Sequence, residues 1–325
     1  MAGNTNYSTL VTTTLQNFSN EIFDNVVTNN SLLRLLKKAG NIKVVSGGRT
    51  LTETVFYQKN TNFAARPKLD PIPLNIDDEL TRAEYNVKVL SGAIMISQLD
   101  LAMNAGDKEK LIDLIESKKM AAEVSLGELM GDQIFNTAVT AAGSDNFDSI
   151  PYLISETPSL QSDVGGIDST ASGQAYWRNQ IYATTVSGFA TSQEGLNAMS
   201  RLYNLCINGT QGPTAVITTR TIFSLYELAL TSNARYTSMD TGDGAFKSLN
   251  YATLPVYFDD NCPSAALYFV DTNSLRLKVL DQGNMKATKF QQTQNQLSTS
   301  MLMYVFGNLT CASRRTQGVM INITG

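Results

Sequence analysis

Two segments alternate apolar and polar residues with the two-residue period of a strand, Ile42 to Tyr57 and Thr81 to Gln98. In the first, Leu51, Val55 and Tyr57 share a face with Glu53, while Thr50, Thr52, Thr54 and Phe56 take the other. In the second, Ala83, Tyr85, Val87 and Val89 oppose Glu84, Asn86 and Lys88. Pairing the two predicts a long hairpin, because sixteen residues of strand at about 3.3 Å each reach roughly 50 Å. Gly47 and Gly48 lie as far before Asp70 as Gly92 and Ala93 lie after it, so these glycines are expected to meet at the hairpin's base and serve as hinges. Pro67, Pro71 and Pro73 forbid regular pairing at the tip, which is bipolar. Lys59, Arg66 and Lys68 enter it beside Phe63, and Asp77, Asp78 and Glu79 leave it. An isolated two-stranded ribbon is marginally stable in water, so this one needs a surface to lie on.

Helical periodicity marks the flanks. Leu10, Leu15, Phe18, Ile22 and Val26, then Leu32, Leu33, Leu35 and Leu36, predict an N-terminal helical arm interrupted or recapped at Asn29, Asn30 and Ser31. The longest helix is expected from Asp107 to about Val139, with Leu111, Leu114, Ile115, Ala122, Leu126, Leu129 and Ile134 along one side and interleaved lysines and glutamates elsewhere. At 1.5 Å per residue it spans roughly 50 Å, a spine longer than a small domain needs. Ala141 to Gly173 is rich in Gly, Ser, Asp and Pro and reads as an ordered surface loop. A compact α/β unit follows. It comprises helices at Gln193 to Cys206 and Thr221 to Leu230, and strands at Ala215 to Thr219, Leu254 to Phe258, Ala266 to Val270 and Leu275 to Leu280. Ser298 to Phe306 and Gly318 to Ile323 are strands that return to pair with earlier elements. The class is α+β.

Composition narrows the function. The 325 residues contain no histidine, which removes the usual general base, the commonest metal ligand and every histidine-containing triad. Cys206, Cys262 and Cys311 are odd in number and far apart, fitting neither a disulfide framework nor a zinc spacing, and are expected reduced and buried. Only 17% of residues are charged and the formal net charge is −4, which gives no electrostatic reason to hold nucleic acid tightly. The N-terminus lacks the pattern of a signal peptide, and the uncharged run Phe290 to Ser313 has too short an apolar part to span a bilayer, so no membrane association is expected.

Sharper sites are weak. Asp259 with Asp260, and Asp77 with Asp78 and Glu79, read as solvated turn carboxylates in preference to cation ligands. Gly242 to Lys247 has glycines and a lysine without P-loop spacing. No cofactor, metal or catalytic residue is assigned. Trp177 with Arg178 fits either an intersubunit anchor or the core, and Arg314 with Arg315 fits either a contact to a neighbour's carboxylates or a strand end.

The order of arm, hairpin, long helix, loop region, α/β unit and returning strands resembles the major capsid protein of tailed bacteriophages, the HK97-like fold. Local strings agree: Ser149-Ile150-Pro151-Tyr152, Tyr176-Trp177-Arg178-Asn179, Leu254-Pro255-Val256-Tyr257-Phe258-Asp259-Asp260, and Asn308-Leu309-Thr310 running into Arg314-Arg315-Thr316-Gln317-Gly318. The resemblance implies an N-terminal arm at 1–41, an E-loop at 42–100, a P-domain with a spine helix at 101–190 and 286–325, and an A-domain at 191–285. It further implies a non-enzymatic subunit forming pentamers and hexamers of an icosahedral head, with packaged DNA touched only non-specifically, a portal, and a possible decoration protein. About forty residues precede the hairpin, too few for a fused scaffold segment, so a separate scaffolding protein is expected. The implied location is the virion, assembled in the host cytoplasm. An encapsulin-like nanocompartment keeps the fold and changes the contents. A surface-layer protein or an enzyme would need an export signal or a catalytic constellation that the sequence does not offer.

Overall fold

The computed structural model describes residues 30–68, 72, 76–99, 108–189, 193–232, 249–284, 286–293 and 296–324. The arm residues Leu10, Leu15, Phe18, Ile22 and Val26 and the segment 242–247 lie outside them. The first described helix, α1 (Ser31–Lys38), starts where Asn30 Oδ1 accepts the Leu33 amide at 3.1 Å, and Lys37 and Lys38 sit in its last turn, where cations suit the helix dipole. Its Leu32, Leu33 and Leu36 are fully buried.

Among the described residues, two six-stranded sheets carry the body. The first is organised by β13 (Ser298–Cys311), antiparallel to β4 (Lys88–Ser97) over its first part and to β10 (Leu275–Leu280) over its last. β1 (Ile42–Val45) pairs parallel with β10, and the short β11 (Lys286–Ala287) and β12 (Gln291–Gln292) also pair with β13. The second sheet runs β5 (Gln180–Tyr182), β14 (Gly318–Met320), β9 (Leu267–Val270), β6 (Ala215–Thr218), β8 (Leu254–Phe258) and β7 (Leu249–Tyr251). Its central strands β6 and β9 are buried along their whole length, as strands covered on both faces must be. Helices α4 (Glu194–Cys206) and α5 (Arg220–Ser232) accompany this sheet. Met199, Leu202, Phe223 and Tyr226 from these helices join Val216, Val256 and Phe269 in one apolar cluster. A larger cluster joins the first sheet, α1, the long helix and the loop region.

The long helix, α2 (Lys108–Ile134), ends five residues earlier than the periodicity predicts. Leu126, Met130 and Ile134 are buried, with Ala122 and Leu129 partly so, whereas Met120 and Val124 are exposed on the other side. The side chains of Leu111, Leu114 and Ile115 lie outside what is described. Between the helix and the second sheet the chain is mostly irregular, apart from one α-helical turn, α3 (Ile150–Leu153), capped by Ser149, and a 3-10 turn at Ala175–Trp177.

The hairpin departs from the sequence expectation. Only β2 (Thr50–Phe56) and β3 (Leu80–Asn86) pair, in the register Thr50↔Asn86 to Phe56↔Leu80. Seven residues give a ribbon of about 23 Å, and the flanking alternation belongs to strands of the first sheet. Gly47 and Gly48, at φ 141° and 123°, form the joint where the chain leaves β1 for β2, in backbone that side chains rarely adopt. Gly92 does not meet them. It sits within β4 opposite Met303, in an unbroken ladder, so the expected glycine-lined base does not exist. The alternation also changes phase at Val87: Ala83 and Tyr85 are buried in β3, yet at the start of the next strand Lys88 is buried and Val89 exposed. β10 likewise belongs to the first sheet, so the segment 191–285 is not a single sheet's worth of chain.

Candidate assembly surfaces

The hairpin is seated on its own body before it reaches outward. Leu51, Val55, Ala83 and Tyr85 enter the large core, Tyr85 Oη donates to the Cys311 carbonyl at 2.8 Å, and the rings of Tyr57 and Tyr176 lie 5.4 Å apart. Gly165, at φ 64°, brings its backbone against this face, where a Cβ would stand 2.9 Å from that of Ala83, and its carbonyl accepts the Glu84 amide at 2.8 Å. Glu53, on the apolar face, is 2% exposed. Its carboxylate is paired with Arg276 and with Lys278 Nζ at 2.8 Å, and accepts the Thr310 hydroxyl at 2.8 Å. A buried carboxylate is tolerated only with such partners, so Glu53 ties the hairpin to β10 and β13. The sequence signal for it was a carboxylate among the apolar residues of one strand face, with partners more than 220 residues away.

Beyond Tyr57 the tip is held by its own carboxylates. Asp77 accepts from the Thr61 hydroxyl and amide, both at 2.6 Å, which hold its carboxyl below the usual range, and Glu79 accepts from the Asn60 amide group. Arg66 is half-buried and donates to the Asn62 carbonyl at 3.4 Å. Lys59, Lys68 and Asp78 are exposed. So are Phe56, Phe63, Ile72, Ile76 and Leu80, with Phe63 86% exposed, and Phe56 and Leu80 are partners across the ribbon. Five large apolar side chains left in water on one excursion mark a surface made to be covered.

A second apolar surface lies on the outer face of the first sheet. Val89, Met95 and Leu302 are exposed there, and Tyr304 stacks on Phe306 with centroids 4.8 Å apart. A groove of about 320 Å³ runs between β4 and α2, lined by Ala93, Met95, Ala121, Ser125, Leu129 and Met303 among others.

The two expected arginine-bearing contacts divide. Trp177 is fully buried and its indole N–H donates to the Val164 carbonyl at 2.8 Å. Arg314 is equally buried, donating to the carbonyls of Leu153 at 2.8 Å and Trp177 at 3.1 Å, to Asn179 Oδ1 at 3.1 Å and to the Gln161 amide oxygen. Both side chains are buried within the chain, so of the alternatives the sequence left open Trp177 takes the core, and Arg314 is turned inward and away from any neighbour's carboxylates: its five-donor guanidinium satisfies the carbonyls of an irregular segment that has no sheet to pair with. Arg178 is half-buried with Nε on the Ser169 carbonyl at 2.8 Å, while Arg315 is exposed.

A buried carboxyl lies behind β4. Asp148 exchanges hydrogen bonds with Asn308, its amide donating to Oδ1 at 2.8 Å and its Oδ2 accepting Nδ2 at 2.9 Å, while Asp148 Oδ1 is buried without a partner. Burial raises this carboxyl to about 7, against the opposing pull of the Lys88 ammonium and the Asn308 amide. The Lys88 ammonium is itself held by the carbonyls of Ala142, at 2.9 Å, and Ser144. A raised carboxyl favours the folded state while protonated, so stability from this group is greatest below its ordinary value of 3.8 and falls as pH rises towards 7. Asp148→Asn is expected to remove that slope, and urea midpoints of wild type and variant measured across this range check it.

The turn carboxylates have internal roles. Asp259 accepts the Ser31 hydroxyl at 2.5 Å and Asp260 pairs with Arg220 at 2.8 Å. Among the described residues, no group of three or more Cys, Asp or Glu side chains is placed to hold a metal, and no helix is long and apolar enough to cross a membrane. The three cysteines are buried, and burial pushes the thiols of Cys206 and Cys311 up to about 12, so neither is a ready nucleophile at neutral pH.

No family model and no curated protein matches the chain in sequence. Solved structures do match in shape. The capsid of cyanophage A-1(L) superposes with a TM-score of 0.60 at 15% identity, over 89% of this chain and 93% of that one. The SrpI encapsulin of Synechococcus elongatus gives 0.55 at 10% identity, over 89% and 87%. The satellite phage P4 procapsid, which includes a size determination protein, gives 0.51 at 11% identity, over 97% and 100%. This chain therefore has the HK97-like fold that phage capsids and encapsulins share.

Proposed function

We propose that the chain is the major capsid protein of a tailed bacteriophage, a structural subunit that assembles with copies of itself into the pentamers and hexamers of an icosahedral head around double-stranded DNA. The observation that carries this reading is the likeness to phage capsids along nearly the whole length of both chains. In this reading β2, β3 and the tip form the E-loop, α2 is the spine helix of a P-domain built on the first sheet, and the second sheet is the core of the A-domain. Gly47 and Gly48 serve as the hinge that lets one sequence fit five-fold and six-fold surroundings. Lys59, Phe63, Arg66, Lys68, Asp77, Asp78 and Glu79 with the exposed tip residues cover a neighbouring copy, joined by Arg178 and Arg315. Each contact is modest, and their repetition around a closed surface makes loss of any one subunit rare. A separate scaffolding protein, a portal and a possible decoration protein complete the assembly. The P4 procapsid, with its size determination protein, is a precedent for the first. The second reading, an encapsulin-like nanocompartment, draws on the likeness to the SrpI shell. Co-purification of a cargo protein favours it, and adjacent portal and terminase genes favour the phage head.

Electron microscopy of the chain expressed alone and with its neighbouring genes is expected to reveal hollow shells of uniform diameter. Phe63→Glu with Ile76→Glu, both on the exposed tip, is expected to abolish shells while leaving the thermal unfolding of the subunit unchanged. Lys68→Glu tests the tip charge in the same assay, with fewer or irregular shells expected. A wild-type chain that remains monomeric at high concentration in both settings overturns the proposal.

A further inference from the structure

We propose that the outer edge of β2 receives an extended acidic segment of another polypeptide, which adds a third strand to the hairpin. The Tyr57 amide donates to the Glu79 carbonyl at 3.1 Å, continuing the register of β2 with β3. Bonded pairs alternate along an antiparallel ladder, so Leu51, Glu53, Val55 and Tyr57 turn their backbone groups towards β3, and Thr52, Thr54 and Phe56 turn theirs away. Two contacts agree with this assignment. Lys278 Nζ reaches the Thr52 carbonyl from outside at 2.5 Å, and Glu84, at the corresponding phase of β3, donates outward to the Gly165 carbonyl.

The two edges of the ribbon differ. The Gly165 turn covers that of β3, whereas among the described residues no strand pairs with that of β2. The β2 edge instead opens onto a cleft of about 1310 Å³ between the hairpin and the loops before β6 and after β9, lined by Thr54, Phe56, Lys59, Gln211, Arg276 and Arg315 among others. Beyond the Thr52 carbonyl, which Lys278 holds, the outward main-chain groups of Thr54 and Phe56 are a template for another strand, and the β-branched Thr52 and Thr54 favour extended neighbours.

Charge selects the occupant. Of the charged residues lining the cleft, Lys59, Arg276 and Arg315 are cations, in a chain whose formal net charge is −4. Arg276 spends its charge on Glu53, but Lys278 also meets that carboxylate, so the group of three keeps a net positive charge. Among the described residues of the lining the one carboxylate, Asp271, is turned inward onto the hydroxyls of Thr316, at 2.9 Å, and Ser274. An extended segment bearing carboxylates would therefore find both a backbone partner and opposite charge.

The test uses the full chain at a concentration where sedimentation shows no shells, so it reads the edge whether or not the protein forms a capsid. The probe is a fluorescein-labelled peptide of repeated Glu-Thr, followed by anisotropy. Saturable binding is expected, with the amides of Thr54 and Phe56 slowed in hydrogen exchange. Binding is expected to weaken by at least about tenfold for the same peptide N-methylated at alternate residues, for a Lys-Thr repeat, and for the chain carrying Lys59→Glu and Arg315→Glu. Absence of saturable binding overturns the proposal. So does equal binding of the N-methylated or the Lys-Thr peptide, each of which leaves the protein unaltered and so cannot fail through misfolding.

Discussion

Replacing Glu53 by alanine is expected to destabilise the protein by about 3–5 kcal/mol, the loss typical when one member of a buried ion pair is removed and its partners stay behind. Arg276 and Lys278 would be left side by side on β10 with no carboxylate between them, Lys278 largely covered, and the Thr310 hydroxyl would lose its acceptor. The damage should be local in origin. The hairpin stands on Leu51, Val55, Ala83 and Tyr85 and on this ionic knot, so β2 and β3 are expected to exchange their amide hydrogens faster before the sheets do. Glu53→Gln keeps the shape and one acceptor and should recover part of the loss, whereas Glu53→Ala with Arg276→Met and Lys278→Met should recover more, since a fully apolar replacement avoids stranded charge. Urea unfolding and hydrogen exchange on the purified subunit check all three. If Glu53→Ala costs less than about 1 kcal/mol, the pairing is worth no more than a surface ion pair.

Arg314→Ala is expected to be comparably severe. It removes a fully buried side chain and leaves the carbonyl oxygens of Leu153 and Trp177 and the amide oxygen of Gln161 short of a donor, while Asn179 Oδ1 keeps only the Ser155 amide. A single orphaned buried acceptor costs about 1–3 kcal/mol, and the cavity adds to it, so a loss of at least about 4 kcal/mol is expected without assuming that the four contributions add. Arg314→Lys should rescue little, because a point charge with one reach cannot serve acceptors spread around a planar fork. Trp177 is the chain's single tryptophan and one of the acceptors' owners, so its fluorescence reports the site directly. In the variants its emission should move to longer wavelength under native conditions as water reaches the indole.

Legibility of the fold in the sequence followed the range of the forces involved. Leu254–Phe258 and Leu275–Leu280 come out at the bounds their apolar runs predict, and α4 within a residue, because short runs between turn residues are local signals. The hairpin was overextended for a physical reason. Ile42 to Val45 and Lys88 to Ser97 are strands as well, but they pair with β10 and β13 more than 200 residues away, and strand-forming composition does not say with whom a strand pairs. The phase change at Val87 was the one local hint. At the candidate surfaces, the exposed charges of the tip were readable from proline and charge placement. The sequence left both the core and an intersubunit contact open for Trp177 and gave no sign that Arg314 is internal, since the main-chain oxygens and the Gln161 and Asn179 amides that hold these side chains lie 13 to 161 residues away.

One long strand has a bearing on how the subunit is made. β4, β10 and the short strands beside them all lean on residues 298–311, and the second sheet waits for 318–320 to fill the gap between β5 and β9. A nascent chain emerging from the ribosome therefore holds two unfinished sheets until this late stretch arrives, and cannot close either one. Translation order thus acts as a timer on both sheets, whose last pairings form only once residues 298–320 are free to fold.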